Sequence, residues 1–308
     1  MPEPWLTIAP IHNLWRLPDG FQLPYQFNDR TSLQLVPEWL LTKESDDTVD
    51  LLRPKLREAL GRDVLYCIAV EYQADALGSP DPNWKGDKPR AIQEAAIEDA
   101  RNVLLAFWLV RPTSVHFRLA AHVASHSSEP IVRQIVKYDP QCPLPSYVDD
   151  PYDANEMERI RSLANALDRI SIQGTLRTAV HAVMRAQIER EWTLRFLIFW
   201  LVVESLFGPE DAREITFRLS QRVAIFLSCD AAIARQLFSQ VKSSYAWRSK
   251  VVHGLRLAKL SETESSDQII QLEGVVRQSL VKVLSSDVLT STFDGKTREQ
   301  YLDDLVFQ

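Results

Sequence analysis

Two pairs of residues place an arginine five positions ahead of a histidine: Arg111 with His116, and Arg248 with His253. An arginine stays charged at any working pH and can fork onto two phosphate oxygens. Histidine titrates near neutrality, so it can take a proton from a hydroxyl or return one to a leaving oxygen. Together the two types suit cleavage of RNA by its own 2′-hydroxyl. That reaction needs proton movement and charge stabilisation at phosphorus, and no metal.

The spacing alone carries little, because two of the six histidines meet it. Arg111-Pro-Thr-Ser-Val-His116 has a helix-breaking proline after the arginine and runs into a strand-like stretch, so it reads as a helix end meeting a strand. Arg248 to His253 closes a helical pattern over about 231–253, with Gly254 just beyond, where a helix takes a left-handed C-terminal cap. At about 100° per residue, Tyr245, Ser249 and His253 form one stripe with Arg248 beside it. Arg248 and His253 are about 140° apart on that helix, so a single helix does not clamp one phosphate with both.

The elements around this segment set its context. The composition, 45% apolar and 25% charged over 308 residues, is that of an ordinary globular chain with room for two domains. Net charge is −6, the wrong overall sign for a nucleic-acid binder. The balance is local, however: from Ala231 to Ser261 there is no acid, while Arg235, Lys242, Arg248, Lys250, Arg256 and Lys259 all fall in that window. The longest apolar run, Phe196 to Val203, is too short to span a bilayer and reads as a core helix. The N-terminus shows no signal-peptide pattern, and Cys67, Cys142 and Cys229 have no metal-ligand spacing, so the expected location is the cytoplasm.

An α+β fold is expected. Residues 1–150 should form a mixed α/β domain, with strands at Trp5–Ala9, Leu33–Val36, Val64–Val70, Val115–Val123 and Ile131–Tyr138 and a helix over Ala91–Leu109. A proline-rich linker, Pro140 to Tyr152, leads into an all-α bundle over 151–308. Its helical patterns cover about 153–170, 173–207 (two segments or a bend), 211–228, 231–253, 266–285 and 296–306. Glu204 interrupts an otherwise apolar helix and needs a partner, for which Arg222 and Arg248 are the candidates. His122 and His126 have the spacing of a metal pair only on a helix, lack a third ligand, and are read as no metal site.

The order of three blocks, Arg195 to Phe207, Phe217 to Leu227 and Ser244 to Gly254, resembles the HEPN superfamily (higher eukaryote and prokaryote nucleotide-binding), in particular its Apea-like branch, over about residues 155–308. The resemblance implies a metal-independent endoribonuclease, a toxin or abortive-infection effector, whose composite site forms between two such domains in a homodimer. Arg248 and His253 match the family motif, and Ser249 stands where the superfamily often has Asn, Asp or His. The expected catalytic set is Arg248, His253, Ser249, Tyr245 and Glu204, with Lys242, Lys250, Arg256 and Arg222 contacting RNA, of which transfer RNA is the family's example. No cofactor is implied. Residues 1–150 take a sensing or regulatory role, and an antitoxin or regulatory partner fits a toxin. The alternative is a catalytically inactive HEPN module that binds a nucleotide or protein as a sensor or scaffold. Each residue also has a plain structural reading: His253 against a helix dipole, Arg248 as a surface ion pair, Tyr245 as core.

Overall fold

A computed structural model describes residues 4–14, 16–42, 66–73, 88–126, 129–139, 150–170, 174–210, 214–252 and 262–307. The chain is α+β and divides into two compact units: one holds the chain to Gln141 and Val148–Asp168, the other Cys142–Tyr147 and Arg169 onward.

The first unit is built on an antiparallel sheet. Its strands are β1 (Pro4–His12), β2 (Tyr25–Gln26), β3 (Thr31–Leu35), β4 (Tyr66–Gln73), β5 (His116–Phe117), β6 (Leu119–His126) and β7 (Glu129–Lys137). The order is β2-β3-β4-β1-β6-β7, with β5 pairing β1 beside this path. Alternation along the strands gives the sheet two distinct faces. One buries Ile8, Cys67, Leu119, Ala121 and Val123 against Leu40 of the short helix α1 (Glu38–Thr42). The other meets α2 (Lys88–Val110), which is buried all round from Asn102 to Val110 and so makes a core helix in its second half.

A polar network fastens α2 to the sheet. Tyr72 donates to Asp99 at 2.6 Å, and Arg30 reaches Asp99 at 3.2 Å and Asp168 at 2.9 Å. Asp168 ends α3 (Ala154–Asp168), whose start is a capping box in which Asp153 and Glu156 each accept the other's backbone N–H. This helix belongs to the sheet unit, so the expected division at 150/151 falls ahead of it. The Arg111–His116 coincidence is resolved here as well. Arg111 follows the end of α2 and stacks on Tyr152, while His116 lies in β5 and stacks on His12 with ring centroids 5.2 Å apart.

In the second unit the described elements are helices. These are α4 (Thr175–Ile188), α5 (Trp192–Phe207), α6 (Ile215–Leu227), α7 (Ala231–Val252), α8 (Glu262–Leu284), α9 (Asp287–Asp294) and α10 (Arg298–Asp304), closed by a 3-10 turn at Leu305–Phe307. The 173–207 pattern is two helices, α4 and α5, broken at Glu189–Glu191. Helix α9, capped by Ser286, has no counterpart in the sequence expectations. Phe293 is its one buried residue and packs against Phe207, Phe226 and Tyr301 at centroid distances of 5.3–6.0 Å.

Cationic side chains seal the helix ends of this unit. Arg195 donates to the carbonyls of Ala186 and Gln187, Lys282 to that of Phe226, and Arg298 to those of Ser205 and Gly208. The last carbonyls of a helix have no intrahelical donor and carry the negative end of its dipole, so a cation placed there answers both needs.

Candidate functional site

The candidate site lies where α7 packs against α5. Helix α7 begins at Asp230, whose carboxylate accepts from the N–H groups of Ala232 and Ile233 at 2.9 Å. It carries Arg235, Lys242, Arg248 and Lys250 with no acid, and only Val241 and Ser244 are buried. Long exposure and one sign of charge make it a surface helix.

Helix α5 ends beside this face. A Cβ on Gly208 would lie 2.4 Å from the Glu204 carbonyl oxygen, so the exit from α5 after Glu204 needs a glycine. The helix buries Phe199, Trp200, Val202 and Val203 and places Glu204 at the margin of that core.

Arg248 and Glu204 come together. The guanidinium Nη2 is 3.1 Å from Glu204 Oε1 and donates to Oε2 at 3.2 Å; the side chains are 30% and 24% exposed. Of the two partners the sequence allows for Glu204, Arg248 is the one it meets. Tyr245 lies under the same guanidinium, 5.6 Å from its ring centre, and stands edge-on to Trp200 at 5.3 Å. One turn of α7 therefore presents a partly buried cation held by a carboxylate of α5 and packed on a phenol ring. Ser249 is partly buried on the same turn. His253 follows Val252 directly in sequence and lies outside the described residues, as does Arg256.

The RNA-contact expectations divide. Lys242 and Lys250 are exposed, over the rings of Phe238 at 5.7 Å and Trp247 at 4.3 Å. Helical rotation puts both at least about 120° round α7 from Arg248. Arg222 is not at the surface. It is 2% exposed, donates to Glu299 at 2.7 and 3.1 Å, to Asp303 at 2.5 Å and to the Phe207 carbonyl at 3.3 Å, and so ties α6 to α10. Burial raises the Glu299 carboxyl, and the Arg222 guanidinium more than offsets this, leaving it below the ordinary carboxylate range. Buried and held by two carboxylates, the Arg222 guanidinium is directed into the packing of α6 and α10 and not to the exposed surface.

Trp192 and Trp200 pack as the apolar pattern requires, the first 6.5 Å from Phe196 and the second fully buried. His122 lies in β6 and not on a helix. Among the described residues no group of three His, Cys, Asp or Glu side chains is placed to hold a metal ion, and no helix is long and apolar enough to cross a membrane. No protein-family model, curated protein or solved structure matches the chain.

Proposed function

We propose that the helical unit is a HEPN-type, metal-independent endoribonuclease that cleaves RNA by attack of a 2′-hydroxyl on the adjacent phosphate. In biological terms it is a toxin or abortive-infection effector acting in the cytoplasm, with transfer RNA a candidate substrate. The observation that carries the proposal is the pairing of Arg248 with Glu204 on the last turns of an acid-free helix, immediately before His253 in sequence. In this reading Arg248 stabilises the charge that develops on the phosphorane-like transition state. His253 moves the proton at the 2′-hydroxyl or at the 5′-leaving oxygen. Glu204 is a positioning residue that orients the guanidinium, while Tyr245 and Ser249 border the reacting phosphate. Lys242, Lys250 and Arg256 hold the flanking backbone.

On an ideal helix residues five apart, as Arg248 and His253 are, lie about 140° apart, so in this reading two copies of the segment meet across a two-fold axis to complete the site. The active species is accordingly a homodimer through the helical unit, held in check by an antitoxin or regulatory partner. The sheet unit takes the sensing or regulatory role.

The test is cleavage of RNA by the purified protein in the presence of a metal chelator, comparing the parent with His253→Ala and Arg248→Ala. Loss of cleavage in both variants, with unchanged melting temperature, supports the enzyme. Cleavage that persists in His253→Ala, or is absent from the parent, favours the second reading, an inactive module that binds a nucleotide or protein as a sensor or scaffold. One observation speaks for that second reading: Glu204 already neutralises Arg248 at 3.1 Å.

A further inference from the structure

The sheet unit contains a cleft of about 650 Å³ between α2 and the outer strands β6 and β7. That volume falls within the roughly 300–1,000 Å³ of sites that hold small organic ligands. Its walls are polar where a helix–sheet interface is ordinarily apolar. The strand register lines up Thr7, His122 and Gln134 across β1, β6 and β7, so a polar row crosses three strands on one face of the sheet. Helix α2 turns a matching stripe toward it, with Gln93, Ile97 and Arg101 spaced by four residues.

His122 lies at the floor and is 1% exposed. One ring nitrogen, Nδ1, is 2.8 Å from the Thr7 hydroxyl. The side chain borders the cleft. Burial pushes the imidazole down to about 4, so it is neutral at physiological pH.

The chemistry of the walls selects the ligand. Both arginines at the mouth are engaged, one with a carboxylate and one with a ring: Arg90 donates to Glu94 at 2.9 Å, and the Arg101 guanidinium lies 5.3 Å from the centre of the Tyr138 ring. A neutral ligand would leave these arrangements in place. Gln93 and Gln134 each carry a donor pair and an acceptor, which is the complement of a heterocycle's hydrogen-bonding edge. The Tyr138 ring with its guanidinium supplies a flat face for stacking. We propose that this cleft is a binding site for a nucleoside, recognised through its base by Gln93, Gln134 and His122 and stacked beside Tyr138. The proposal does not depend on the ribonuclease reading of the helical unit.

The experiment is calorimetric titration of the full-length protein with adenosine, guanosine, cytidine and uridine, each to about 1 mM, where even weak binding registers. At least one nucleoside should bind and discriminate against the others. Its affinity should fall about tenfold or more in Gln93→Leu and in Gln134→Leu, because each leaves a base edge without its partner. Gln134 is exposed and Gln93 partly so, which keeps both variants foldable, and a melting curve checks this. Failure of all four to bind overturns the proposal. So does binding that ignores both substitutions, binding of a nucleoside 5′-monophosphate but not the nucleoside, or preferential binding of free glutamine as a zwitterionic control.

Discussion

Replacing Arg222 by alanine separates a structural arginine from an RNA-binding one. Its guanidinium makes hydrogen bonds to Phe207, Glu299 and Asp303 and is 2% exposed. Removing one member of a fully buried ion pair costs about 3–5 kcal/mol, because the other charge is left unpaired. Here the stranded carboxylates are 21% and 51% exposed, and Arg218 stands 3.6 Å from each, so water and a second cation recover part of the loss. The expected cost is therefore at the lower end, about 3 kcal/mol. For a protein of this size that lowers Tm by roughly 6–12 °C. Differential scanning calorimetry reads the shift, and the same variant is titrated with RNA at several salt concentrations. An Arg222→Met, Glu299→Gln, Asp303→Asn variant should recover at least half of the lost stability, since it removes all three charges together. A Tm change within about 1 °C for Arg222→Ala, combined with a salt slope reduced by about one, would refute the argument and return Arg222 to the RNA surface.

Other outcomes follow from the same packing. Glu204→Gln should lower RNA cleavage about tenfold while leaving Tm nearly unchanged, because it loosens the Arg248 guanidinium without opening the core; equal activity would deny Glu204 a positioning role. Phe293→Ala, at the centre of the Phe207, Phe226 and Tyr301 cluster, should destabilise the helical unit by about 3–5 kcal/mol in urea unfolding, and a value below about 1 would contradict the packing described. Acid should weaken the sheet unit. Burial holds His122 at about 4, and burial with His116 and Arg118 nearby holds His12 at about 4, against 6.5 when unfolded. The unfolded chain therefore takes up the protons first: the stability is fully present above 6.5 and is lost as pH falls from there toward 4. For His122 alone the loss between pH 7.5 and 5 is about 2 kcal/mol, and urea midpoints that do not move over this range would count against it.

What could be read from the sequence followed from period and punctuation. Helical spacing located the 173–207 pattern that holds α4 and α5 and the 231–253 pattern of α7, and the continuous apolar run around Cys67 located β4. Position in three dimensions was less accessible. Arg222 lies on an amphipathic helix like many surface arginines, and its carboxylates come from a helix 77 and 81 residues later. Nothing in local spacing says that such a residue is buried. Glu204 had two possible partners, and only packing of α7 on α5 selects Arg248. Helix α9 is short and rich in Ser and Thr, residues that favour caps and turns, so its period was hidden. The Thr7, His122 and Gln134 row depends on strand register, which a single strand's sequence does not contain.

The sealing of helix ends by distant cations bears on how the helical unit opens. A helix terminus normally frays by itself, and its amides exchange with solvent long before the core melts. In this unit the end of α5 is held by Arg298, 90 and 93 residues away, and the end of α6 by Lys282, 56 residues away. Those joints cannot loosen without disturbing α10 or α8, so amide exchange at the ends of α5 and α6 is coupled to the departure of a remote segment. At these two helix ends, fluctuations that elsewhere stay local are expected to become collective with α8 and α10.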